Sequence, residues 1–154
     1  MLPMSDQGQT DDRVRFAQAG VALADAVDAA IESWVVAAVV TRVPEAESEA
    51  EIAARACREV IVEQLRALAE LDVDEQTTTP LQILRGAVRF PTAVLRAAGV
   101  APAARDQLDA ARDPDDVYAL APAAFGDFGP EVGEAGLLWG AAKAYLHLAR
   151  RREI

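Results

Sequence analysis

The stretch from Thr77 to Arg105 carries four arginines, at 85, 89, 96 and 105, and no acidic residue. Guanidinium groups one helical turn apart, as Arg85 and Arg89 are by number, can converge on a phosphate or carboxylate through paired N–H donors. Arg96 joins them if the bend imposed by Pro91 allows it. Arg85, Arg89 and Arg96 are therefore the anion-binding candidates. The competing expectation is that these arginines face the acidic N-terminal half, in the same chain or in a second copy.

Other reactive residue types point away from chemistry. Cys57 is the one cysteine, which rules out an intramolecular disulfide and a cysteine-based metal cluster. It sits on an apolar helical stripe, the position of a small core residue rather than a nucleophile. His147 is the one histidine, so no two-histidine metal site exists. Serines stand at 5, 33 and 48, none in a nucleophile elbow. Asp72, Asp74 and Glu75 lack the glycine and terminal glutamate of a calcium loop and read as a solvated linker. Asp109, Asp113 and Asp116 share a helix face, yet Asp113-Pro114-Asp115-Asp116 is explained by capping, with acids at the positive end of a helix dipole. The expectation is no catalytic residue, no metal and no cofactor.

These residues need a scaffold, and its type is legible. The chain has 154 residues and a net charge of −10. Residues 1–76 hold 16 acids and 6 bases, whereas residues 77–154 hold 9 of each. Glycine and proline number four before residue 77 and thirteen after it. Long acidic helices first and short helices later is the pattern this predicts. In detail, residues 1–11 are expected to be a disordered tail and 12–154 one all-α domain. That domain consists of a long antiparallel hairpin over 12–72 and a lobe of short helices over 77–154.

The first helix is predicted from about Asp12 to Thr41, with Val14, Ala17, Val21, Ala24, Val27, Ile31, Trp34 and Ala38 inward. Gly20 is a weak point within it. Ser48-Glu49-Ala50-Glu51 reads as a capping box for the second helix, or Pro44 as its first residue. Its predicted stripe is Ala53, Cys57, Val60, Ile61, Gln64, Leu68 and Leu71. Thr79-Pro80-Leu81-Gln82 is a helix start with Thr at N-cap, Pro at N1 and Gln at N3. Pro91 interrupts that helix near Phe90, and Gly99 is placed as a left-handed C-cap. Tyr118, Leu120, Phe125 and Phe128 form an aromatic and apolar cluster. The last helix runs from about Glu134 to Arg151 with Ala135, Leu138, Trp139, Ala142, Tyr145, Leu146 and Ala149 inward. Gly140, Ala141 and Ala144 are small enough for another helix to approach.

Several segments resemble a family of small actinobacterial proteins without an assigned activity. They are Asp74-Glu75-Gln76, Thr79-Pro80-Leu81, Phe90-Pro91-Thr92-Ala93-Val94-Leu95-Arg96-Ala97-Ala98-Gly99-Val100, Pro114-Asp115-Asp116 and Trp139-Gly140-Ala141-Ala142-Lys143-Ala144. The resemblance covers roughly residues 70–150. It implies a bacterial cytoplasmic protein and brings no catalytic residue.

Function classes follow by exclusion. An acidic half repels phosphate backbones, against nucleic-acid binding. The longest wholly apolar run, Trp34 to Val40, is too short to span a membrane, and the N-terminus lacks the pattern of a secretory signal. A cytoplasmic location is expected. That same run is apolar on every side, and a helix of this kind is buried all round. Trp34, Val35, Val36, Val39 and Val40 are thus the interface candidates for a homodimer that pairs two hairpins. The leading expectation is a non-enzymatic helical protein that works through protein–protein contacts, with itself or an unknown partner. The alternative is a small anionic-ligand binder or enzyme using an arginine-lined cleft.

Overall fold

The computed structural model describes residues 4–103, 116–122 and 124–151, and every regular element among them is helical. Helix α1 spans Met4–Val40, and a 3-10 turn at Pro44–Ala46 leads into α2, Glu47–Ala69. The short helices α3 (Pro80–Arg85) and α4 (Arg89–Ala97) are joined by a 3-10 turn at Gly86–Val88. A further 3-10 turn at Phe125–Phe128 precedes α5, Pro130–Arg151. The protein is all-α, as its periodicity predicts. Two starts differ from expectation. α1 begins at Met4, inside the stretch assigned to a disordered tail, because an established helix extends at little cost per residue and no proline follows Pro3 there. α5 begins at Pro130 rather than Glu134, with proline in its first turn followed by Glu131.

The hairpin is antiparallel, and the phase of its seam differs from the predicted one. Phe16, Leu23, Ala24, Val27, Ile31, Val35 and Val39 are buried, while Val14, Ala17 and Val21 are exposed. Both sets repeat at helical spacing. The set with Phe16 and Leu23 wins because those side chains remove more apolar area from water than two valines do. Gly20 lies on the winning stripe, where a Cβ would stand 3.1 Å from the Cβ of Ala69. The residue that weakens the helix is the one that lets α2 come close. On α2 the buried residues are Ala50, Ala54, Cys57, Ile61, Val62, Leu65 and Leu68; Val60, Gln64 and Leu71 are exposed. The capping box at Ser48 does not form, and Pro44 opens the turn that leads into the helix. The acidic linker after α2 is anchored. Val73 is buried, the Asp72 N–H donates to Glu75 Oε1 (3.1 Å), and Gln76 Nε2 donates to the carbonyl of Leu68 (3.0 Å).

α3 starts as the sequence indicates. Thr79 accepts from the backbone N–H of Gln82, and the Gln82 side chain accepts from the N–H of Thr79. The interruption falls at Gly86–Val88, ahead of Pro91, since a proline removes the bond to the carbonyl four residues earlier, at Ala87, and its ring crowds that carbonyl. α4 ends in a Schellman motif: Gly99 has φ +77°, its N–H donates to Arg96 O, and Val100 N–H donates to Leu95 O, both at 3.0 Å.

α1 is the central element, contacted by α2, α4 and α5. α5 runs antiparallel to it, with Phe128 against Trp34 (ring centroids 4.8 Å) and Trp139 against Phe16 (5.8 Å). The apolar run at the end of α1 is covered from within the chain. Val35 and Val39 are fully buried, Trp34 packs on Phe128, and Val36 and Val40 are half-buried. Most of the surface assigned to a second hairpin is therefore covered within the chain, and Trp34, Val36 and Val40 keep only part of theirs in water. Leu95, Tyr118, Ala46 and Ala50 close over Val39 in a second small core. The expected aromatic cluster is also divided: Tyr118 and Leu120 join that second core, while Phe125 and Phe128 join the main one with Trp139.

Candidate functional site

The three candidate arginines occupy three different settings. Arg85 ends α3 and is half-buried, with its Nε buried and without a hydrogen-bond partner. Arg89 opens α4, and its Nε folds back onto the carbonyl of Gly86 at 3.3 Å. Arg96 is exposed in the last turn of α4. The intervening 3-10 turn is the physical cause. It advances ~120° per residue rather than 100°, so Arg85 and Arg89 are not stacked as an ordinary i, i+4 pair. Arg89 lines a groove of ≈ 720 Å³ between the end of α2 and α3, together with Gln64, Leu68, Thr78, Gln82 and Ile83. Arg85 and Arg96 do not line it.

The hairpin carboxylates are paired by arginines of the hairpin itself. Arg58 bonds Asp28 through Nε and reaches Glu32 at 3.8 Å; Arg66 meets Asp25 at 2.9 Å and Asp28 at 3.6 Å. Bonding to Asp28 raises the Arg58 pKa, with Coulombic attraction adding to it. Among the described residues, none of Arg85, Arg89 and Arg96 forms an ion pair with a hairpin carboxylate. These exposed α1–α2 pairs fix how the two helices align more than how tightly they hold.

Chemistry is equally sparse elsewhere. Cys57 is fully buried, its Sγ 3.9 Å from the carbonyl of Ala87, and burial pushes its pKa up to about 12. A thiol held protonated in this way is a core residue. Asp116 is buried with both oxygens taken by backbone, accepting from Leu120 N–H (2.7 Å) and Ala121 N–H (2.6 Å). It braces a loop whose Tyr118 hydroxyl donates to the carbonyl of Val100 at 2.7 Å. Asp109, Asp113, Pro114 and Asp115 lie outside the described residues. Among those described, no three His, Cys, Asp or Glu side chains are placed to hold a metal ion. His147 is exposed on α5.

What stands out is the outward face of α5. Val132, Gly136, Trp139 and Leu146 point into the protein. A Cβ on Gly136 would sit 2.3 Å from the ring of Phe125, so the Phe125–Phe128 turn needs glycine there. The opposite face is apolar too. Leu137 is 78% exposed, Leu138 60%, Tyr145 64% and Leu148 51%, and Ala141 and Ala144 between them are exposed. These positions repeat at three and four residues over ~17 Å of helix at 1.5 Å per residue. Residues 135–149 contain no acid, and Lys143 lies 5.1 Å over the ring of Trp139, on the inner side.

Sequence reasoning placed Leu138 and Tyr145 inward, and the structure turns both out. The signal was present. Leu137, Leu138, Trp139, Tyr145, Leu146 and Leu148 together surround the helix with apolar side chains, more than one buried stripe requires. No protein-family model, curated protein or solved structure matches this chain.

Proposed function

We propose that this chain is a non-enzymatic interaction protein whose contact surface is the outward face of α5, and that it acts in the cytoplasm. The observation that carries the reading is the row of four large apolar side chains left in water on one helix. Contiguous patches of this kind mark contact sites on soluble proteins, whereas scattered apolar residues do not. Reactive groups give little support to an enzyme: the thiol is buried and protonated, and of the three candidate arginines only Arg89 lines the groove beside α2. Among the described residues no helix is long and apolar enough to cross a membrane.

The test is capture from the native host with the wild-type chain and with Leu138→Glu as baits. A protein, or a second copy of the chain, that is held by the wild type and lost on the variant supports the reading. Equal capture by both baits, with no self-association, overturns it. A second reading, a binder of small ligands that carry an anionic group, draws on the groove at Arg89, where that cation and the amides of Gln64 and Gln82 border Leu68 and Ile83, with the Glu70 carboxylate in the same lining. Calorimetric titration with aliphatic carboxylates distinguishes it, since binding must be lost in Arg89→Ala.

A further inference from the structure

We infer that the groove beside Arg89 takes a short, extended, apolar peptide with free ends. The inference rests on the reading of that groove as a site for an anionic group, and it names the ligand. The groove lies between the end of α2 and the stretch from Thr77 to Arg89. Those two segments run in opposite directions. The Cys57 Sγ is 3.9 Å from the carbonyl of Ala87, a Cβ on Gly86 would stand 4.0 Å from Ile61 Cδ1, and Gln76 donates to the carbonyl of Leu68. One end of the groove therefore carries Arg89 with Gly86 and Gln64, and the other carries Glu70, Leu71 and Thr77.

The two ends carry opposite charge. Arg89 commits only Nε, to the carbonyl of Gly86, and its guanidinium lies over that glycine, where a Cβ would meet Nη2 at 3.3 Å. Glu70 closes α2, and one turn before it Arg66 is engaged by Asp25 and Asp28. Among the described residues neither Arg89 nor Glu70 forms an ion pair. Glu70 stands six residues beyond Gln64, ~9 Å along the helix. A simple anion leaves Glu70 without a counter-charge, and a zwitterion with adjacent charges does not reach both ends. Three extended residues span up to ~10 Å, so a tripeptide sets its carboxylate at Arg89 and its ammonium at Glu70. Between the ends the lining suits a peptide. Gln82 Oε1 accepts from Thr79 N–H and Thr78 Oγ1, both at 2.9 Å, which leaves its Nε2 as a donor. Gln64 offers a second amide, and Leu68, Leu71 and Ile83 give an apolar floor.

Heteronuclear NMR titration of the isotope-labelled chain with the peptide Ala-Leu-Ala, carried into the millimolar range, tests this. Shifts are expected at the amides of Thr77, Gln82 and Gly86. N-acetylation and C-amidation of the peptide should each weaken binding about fivefold, the upper range for an exposed ion pair. Glu70→Gln should bind the free and the acetylated peptide alike, and Arg89→Ala the free and the amidated peptide alike. Each variant removes the partner of the charge that the cap removes. Both side chains are exposed, so the variants should keep the wild-type helical circular dichroism. Equal binding of acetylated and free peptide by the wild type overturns the inference and leaves the anion reading standing. Equal binding of amidated and free peptide overturns both. If the peptide shifts no groove amide the inference falls, and titration with hexanoate then decides the anion reading by itself.

Discussion

Two stretches of this chain carry more apolar side chains than one buried stripe requires, and the fold treats them differently. Trp34–Val40 closes α1, and Leu137–Leu148 lies in the second half of α5. The first stretch is mostly covered: Val35 and Val39 have no exposure, Trp34 packs on Phe128, and Val36 and Val40 are half-buried. The second keeps Trp139 and Leu146 inside and leaves Leu137, Leu138, Tyr145 and Leu148 in water. Their positions in the bundle account for the difference. α1 is contacted by α2, α4 and α5, whereas the contacts of α5 go to α1 and to the Phe125–Phe128 turn. An apolar helix is thus a demand for neighbours, and how many it receives depends on whether it lies at the centre or the edge.

The largest expected effect sets one stretch directly against the other. Val35→Asp places an uncompensated carboxylate in the main core and should cost more than about 4 kcal/mol, a large part of a typical domain's total stability. Leu138→Glu should change monomer stability by no more than about 0.5 kcal/mol, as ordinary surface substitutions do. Chemical denaturation of both variants is the measurement, and comparable losses would mean that the α5 face is covered. Next in size is a pair of glycines in α5. Gly136→Ala drives a Cβ into Phe125 and should cost about 1–3 kcal/mol. Gly140 has nothing within 4 Å of a built Cβ, so Gly140→Ala should stabilise the helix by up to about 1 kcal/mol.

Confined to alkaline pH is the contribution of Cys57, in the main core. Its pKa is raised from 9.0 to about 12, so the folded state keeps the proton that the unfolded chain releases. That contribution is fully present below pH 9 and is lost as the pH rises toward 12. Melting curves of Cys57→Ala should therefore decline less over this window than those of the wild type, and a thiol reagent should label native protein only as fast as it unfolds. The smallest effect belongs to Arg58→Ala. Its guanidinium is exposed at the hairpin surface, so the variant should melt slightly earlier at low salt and indistinguishably from the wild type at high salt.

Local signals were legible where chemistry within a few residues decides the outcome. Thr79 with Gln82, and Gly99 after α4, behave as capping rules require, since the bonding groups are at most a few positions apart in the chain. Pro44 was legible as a turn before α2, but it opens a 3-10 turn and α2 itself begins at Glu47. The acidic residues of α1 were legible as paired, but their partners were misplaced. Arg58 and Arg66 lie in the same hairpin and need no distant element to reach Asp25, Asp28 and Glu32. The arginines of α3 and α4 were left out of that pairing and, with a 3-10 turn between Arg85 and Arg89, out of a common cleft.

By itself the sequence determined the helical class, the hairpin, the start of α3 and the C-terminal end of α4, because helix periodicity and capping act over four residues or fewer. Tertiary structure alone decided which end of the bundle received the loop with Asp116 and Tyr118, and which face of α5 was left in water. Burial is a property of what packs alongside a helix. Periodicity reports that a face is apolar and does not report how many neighbours arrive to cover it.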